Sequence, residues 1–114
     1  TVARPPLEAL GRAAAGEPTA AVRARVLEAR RRQLERQGRL NSGLRPAQLR
    51  RWAPLAPAAR SALERWAGQR GLTARGFHRA WRVARTLADL EAGEAIQERD
   101  VMEALGYRLV DQAA

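Results

Sequence analysis

Between Thr73 and Gly93 the apolar residues Phe77, Ala80, Trp81, Ala84, Leu87 and Ala88 recur at intervals of three and four. Only a helix of 3.6 residues per turn gathers that spacing into one stripe. Both ends carry matching signals. Thr73 is an N-cap residue, with Leu72 before it and Phe77 at the fourth helical position, the spacing of a hydrophobic staple. Gly93 is the stop. Regular alternation never persists in the 114 residues, and Val and Ile are few, so strands are not expected.

The same pattern recurs along the chain. A helix from Thr19 to about Gly38 places Val22, Val26, Ala29 and Gln33 on one face, with Leu27 and Leu34 widening it. The Arg-rich opposite side offers the pairs Glu28–Arg32 and Glu35–Arg39. Asn41-Ser42-Gly43 reads as a turn. Pro46 opens a short helix through Trp52, with Leu49 and Trp52 inward, and Pro54 ends it. A third helix runs from about Ala58 to Arg70, with Ala59, Ala62, Leu63, Trp66 and Ala67 buried and Gly71 after its end. A last helix, about Glu98 to Leu105, turns Val101 and Leu105 inward and stops at Gly106. The expected fold is therefore all-α, a bundle of four or five helices. Residues 1–18, with Pro5, Pro6, Gly11, Gly16 and Pro18, form an irregular lead-in holding one short turn from Pro6 to Leu10. Residues 19–106 are the helical domain and 107–114 a tail.

Composition removes several chemistries. No cysteine means no disulfide, thiolate metal site or cysteine nucleophile. No lysine means no Schiff-base lysine and no phosphate-loop lysine. His78 is the single histidine, so no multi-histidine metal site is expected, and it reads as a surface or half-buried structural residue. Glu98, Asp100 and Glu103 suit the positive end of the last helix. Trp52, Trp66 and Trp81 stand at core spacing on three helices. No apolar run is long enough to span a bilayer, no secretory leader is recognisable, and a cytoplasmic location is expected. The opening Thr1 and its following Pro pair read as a piece of something longer. No catalytic centre is assembled from these residues alone.

The net charge of +9 rests on 21 arginines. It favours acidic partners, although heavy arginine and alanine usage also fits a coding bias that loads arginine onto solvated faces. Arg30, Arg31, Arg32, Arg36 and Arg39 are the first candidates for a nucleic-acid surface. Arg75 carries a sharper signal. It lies in the first turn of the helix capped by Thr73, where unpaired N–H groups favour phosphate and where a cation opposes the helix dipole. Arg79 and Arg82 follow at i+4 and i+7 as a supporting basic face, and Arg85 pairs with Asp89.

The run Leu72-Thr73-Ala74-Arg75-Gly76-Phe77-His78-Arg79-Ala80-Trp81-Arg82-Val83-Ala84-Arg85-Thr86-Leu87-Ala88-Asp89-Leu90 closely resembles the C-terminal region of magnesium-chelatase-like AAA+ ATPases, the competence-associated relatives of chelatase subunit I. Gly16-Glu17-Pro18-Thr19-Ala20-Ala21-Val22-Arg23-Ala24-Arg25-Val26 is similar to the start of that family's domain. Ala29, Arg30, Gln33, Arg36, Gln37 and Asn41 continue the likeness, and Ile96, Asp100, Val101, Ala104, Leu105, Tyr107 and Arg108 close it. Ala53 and Leu55-Ala56 depart from the family's usual cysteine and Leu-Asp step. The resemblance implies an AAA+ C-terminal helical lid, with the nucleotide-binding core outside this chain. It assigns Arg75 as the sensor-2 residue that meets ATP phosphates, acting within its own subunit or on a neighbour in a ring. It further implies ATP with Mg2+ held mainly by the core, and DNA as partner of the whole protein in competence-type helicase work. On this reading the fragment itself is not an enzyme. The alternative is a stand-alone basic helical module that binds nucleic acid or a partner protein.

Overall fold

The computed structural model describes residues 19–113, with side chains as far as Tyr107. The expected Pro6–Leu10 turn and the Gly16–Pro18 part of the likeness lie outside the described residues. The order is α1 (Thr19–Gln37), a 3-10 turn (Asn41–Gly43), α2 (Pro46–Trp52), α3 (Pro57–Arg70), α4 (Ala74–Leu90) and α5 (Glu98–Ala113). Among the described residues there is no strand, and the fold is all-α. A single parallel bridge joins Leu55 to Ile96. It is closed by Ile96 N–H to the Pro54 carbonyl and Ala56 N–H to the Ile96 carbonyl, each 2.9 Å. That bridge ties the α2–α3 linker to the α4–α5 loop and buries Ile96 completely.

Helix α4 is the central element. It lies along α5 and α1, and α2, α3 and the 3-10 turn also touch it. Its apolar stripe explains why: Ala80, Trp81, Ala84, Leu87 and Ala88 are all buried, and Phe77 packs at the edge. Around the stripe sit Leu44, Leu49, Leu63, Val101 and Leu105. Alanines at 53, 59, 62, 80, 84, 88 and 104 are each 2% exposed or less. Small side chains at these crossings leave room for close helix packing. Trp81 closes the centre, its indole N–H donating to the Ala53 carbonyl at 2.8 Å. Trp52 and Trp66 are half-buried against the same cluster, not fully within it.

Three sequence expectations are corrected. Leu27 and Leu34 are 61% and 53% exposed and do not widen the buried face of α1. At about 100° per residue they lie roughly 120–140° round the helix from buried Val22. Helix α5 does not stop at Gly106 but continues to Ala113. A helical glycine costs about 1 kcal/mol relative to alanine, less than neighbouring helix formers and the anchored Ala104 and Leu105 can supply.

The left-handed residue after α4 is Ala92, not Gly93. Ala92 N–H donates to the Asp89 carbonyl and Gly93 N–H to the Ala88 carbonyl, at 3.0 and 2.8 Å. This is a Schellman closure in which glycine is the usual left-handed residue. With φ at +60°, Ala92 carries the penalty of a Cβ in that region. Ala92→Gly is expected to raise unfolding stability by about 0.5–1 kcal/mol, measured by urea denaturation. A loss of stability would contradict the assignment of strain there.

Candidate functional site

Helix α4 begins as its sequence dictates. The Thr73 hydroxyl accepts the Gly76 N–H at 3.0 Å, and Phe77 N–H is the first to reach an intrahelical carbonyl, that of Thr73, at 2.9 Å. The N–H groups of Ala74 and Arg75 precede that first bond and have no intrahelical acceptor. Arg75 is exposed and makes no side-chain hydrogen bond or ion pair with the described residues. A guanidinium and two backbone donors therefore face outward together. Arg79 is exposed one turn further on. Arg82 is directed elsewhere. Its Nε donates to the Leu44 carbonyl at 2.7 Å, holding the chain after the 3-10 turn. The three arginines therefore do not make a uniform basic face.

The opposite end of α4 holds a buried polar cluster. Arg85 and Asp89 have side chains only 1% exposed. Asp89 Oδ1 accepts Arg85 Nη2 at 2.8 Å, Arg85 Nε at 3.2 Å and Arg36 Nη1 at 2.9 Å. Its Oδ2 accepts Arg36 Nη2 at 3.2 Å and Asn41 Nδ2 at 2.8 Å. Asn41 also donates to Thr86 Oγ1, and its backbone N–H donates to Gln33 Oε1 at 2.9 Å. One carboxylate thus joins α1, the 3-10 turn and α4. Arg85 extends the network by donating to the Gly93 and Glu94 carbonyls at 2.7 and 2.9 Å, and Arg32 reaches the Asp89 carbonyl. Arg32, on a carbonyl of the last turn of α4, meets the negative end of the helix dipole, while Arg85 ties the loop that follows. Burial pulls the Arg85 guanidinium below its ordinary value, with the Asp89 charge opposing. A cavity of about 470 Å³ opens on this cluster, lined by Arg32, Glu35, Arg36, Arg85, Asp89 and Gly93 among others. Of its lining charges, Arg36 and Arg85 are held by Asp89, and Arg32 reaches the Asp89 carbonyl.

This cluster redistributes the arginines expected to form a nucleic-acid surface. Arg36 faces inward to Asp89 and Asn41. Arg31 is held between Glu28 and Glu35, so Glu35 does not pair with Arg39 as the spacing suggested. Arg32 is shared between Glu28 and the end of α4. Arg30 and Arg39 remain exposed without a side-chain partner among the described residues. Sequence reading found the Arg85–Asp89 pair but missed the rest. The register of α1 held the signal: Arg36 follows Ala29 by seven residues and Gln33 by three, which places it on the buried face.

His78 is half-buried, stacked near Trp81 and edge-on to Phe77. Among the described residues no group of three or more histidine or acidic side chains could hold a metal ion. Nor is any described helix long and apolar enough to cross a membrane. At the start of α5 the Asp100 carboxylate accepts the Gln97 N–H at 2.9 Å. Burial raises its pKa, against Gln97 and Arg99, which favour the charged form. A raised acid binds its proton more tightly when folded. It supports the fold below its unfolded value near 4 and withdraws that support as pH rises through the folded value. Asp100→Asn keeps an acceptor for Gln97. Its melting temperature should equal that of the unmodified chain in acid and exceed it at neutral pH; no gain at neutral pH would contradict the assignment.

The geometry is that of a helical domain centred on one capped helix, with an outward arginine at one end and a buried ion cluster at the other. Residues 16–108 match the family described as magnesium chelatase, subunit ChlI C-terminal, and the chain belongs to that family. It is 39% identical over 93 residues to the competence protein ComM of Haemophilus influenzae, covering 82% of this chain and 18% of that protein. It is 36% identical over 97 residues to the uncharacterized protein YifB of Escherichia coli, covering 85% of this chain and 19% of that protein. The chain thus spans about a fifth of the length of these curated relatives. No solved structure is significantly similar to it.

Proposed function

We propose that this domain is the helical lid of an AAA+ ATPase and that Arg75 is the residue it presents to nucleotide. The observation that carries the reading is the unpartnered Arg75 guanidinium beside two free backbone donors, at the capped start of α4. Those groups fit a polyphosphate: the planar fork matches phosphate oxygens, and the helix terminus favours negative charge. ATP with Mg2+ would be held mainly by a core outside this chain, in the same subunit or a neighbouring subunit of a ring. The part of the lid is then positional. The Arg36–Asp89–Arg85 cluster fixes α4 against α1, so a rotation of the domain carries Arg75 with it.

The ComM relative's competence designation supports DNA as the substrate that the whole protein remodels. Hydrolysis belongs to the assembled ATPase, and the 114-residue chain alone is expected to release no phosphate from ATP. The deciding experiment is ATP turnover by the full-length protein carrying Arg75→Ala, read beside the melting temperature of the same variant.

A further inference from the structure

The arginines that remain without an acid concentrate where sequence reading did not place a binding surface. Residues 45–70 contain six arginines and one acid, Glu64. Arg50, Arg60 and Arg65 are exposed and make no side-chain hydrogen bond or ion pair with the described residues. In α1, by contrast, Arg31, Arg32 and Arg36 are engaged by Glu28, Glu35 and Asp89. Residues 71–107 hold more acids than arginines.

The same segment carries both half-exposed tryptophans. Arg51 lies over the Trp52 ring at 4.7 Å, and Arg70 over the Trp66 ring at 4.5 Å. Arg51 and Arg70 are themselves exposed, so each guanidinium over its indole can offer π surface to a nucleobase and N–H groups to phosphate. Neither tryptophan completes the core, which Trp81 closes with its hydrogen bond to Ala53.

We propose that the outward surfaces of α2 and α3 bind single-stranded nucleic acid. Arg50, Arg60 and Arg65 contact phosphates, while the Arg51–Trp52 and Arg70–Trp66 pairs offer stacking platforms. Duplex is the weaker ligand because its bases are already stacked and cannot reach the platforms. No variant in its test alters Arg75, so the outcome is independent of the lid reading.

The experiment is a fluorescence-anisotropy titration of labelled oligo(dT) with the 114-residue chain at about 50 and 200 mM NaCl, run beside a duplex of equal length and heparin. Three to four phosphate contacts on a single strand give a salt slope of roughly −2 to −3, so affinity should fall about 20- to 60-fold between the two salts. Arg60→Gln with Arg65→Gln should weaken binding several-fold and flatten the slope by about 1.4. Arg30→Gln with Arg39→Gln should leave both unchanged. Tryptophan emission should be quenched by oligo(dT) and much less by heparin, and Trp66→Phe should remove part of that quenching. Circular dichroism melting establishes that each variant is folded. Absence of binding at the lower salt would overturn the proposal. So would equal loss in the α1 double variant, or heparin binding as tightly as oligo(dT) without selective quenching by the oligonucleotide.

Discussion

Asp89→Ala is expected to lower stability by about 3–5 kcal/mol, the cost of breaking a buried ion pair by removing one partner. The physical reason is desolvation. Arg85 is almost fully buried, and Asp89 supplies the countercharge that makes its position tolerable. Arg36 and Asn41 lose their acceptor in the same step. For a domain of this size about 4–8 °C of melting temperature goes with each kcal/mol, so a fall of roughly 12–40 °C should be seen by circular dichroism. Pairing the change with an apolar partner sharpens the test. Arg85→Met with Asp89→Leu removes both buried charges, and it should melt above Asp89→Ala even though the ties to Gly93 and Glu94 are gone. A fall of only a few degrees in Asp89→Ala would mean that the cluster does not hold α4 to α1.

Arg75→Ala should behave in the opposite way. Its side chain is exposed and has no partner among the described residues, so the melting temperature should change by about 1 °C or less, within the range usual for surface substitutions. In the full-length protein, ATP turnover should fall by about 100-fold or more. That is the order seen when one preorganised donor to a developing oxyanion is removed. Arg75→Lys keeps the charge but loses the fork, and it should recover only part of the rate. The two readouts separate a nucleotide-facing residue from a structural one. Normal turnover in Arg75→Ala would remove the sensor role and leave the family membership and the fold untouched.

The elements themselves were legible because their signals are local. Pro46 and Pro57 at helix starts, Thr73 as a cap, Gly71 in a left-handed conformation and the Phe77-to-Ala88 stripe each act within a few residues. Gly106 misled for the same reason: a local breaker was outweighed by the helix around it. Arg75 was legible as a residue type at a helix start, and the structure adds that its side chain stands clear of the bundle.

Side-chain partners across long separations were not legible. Leu27 and Leu34 look like core by residue type, yet the helix register places them outward. Arg36 looks like surface by type, yet 53 residues separate it from the carboxylate that holds it. The sequence alone determined an all-α chain with one dominant amphipathic helix and an arginine at its opening turn, because helix periodicity and capping are short-range. Only the tertiary structure decided which charges are neutralised and which stay available, because that depends on which helices meet. The buried Asp89 draws Arg36 and Arg85 inward, and the arginines of α2 and α3, with no acid brought against them, remain at the surface.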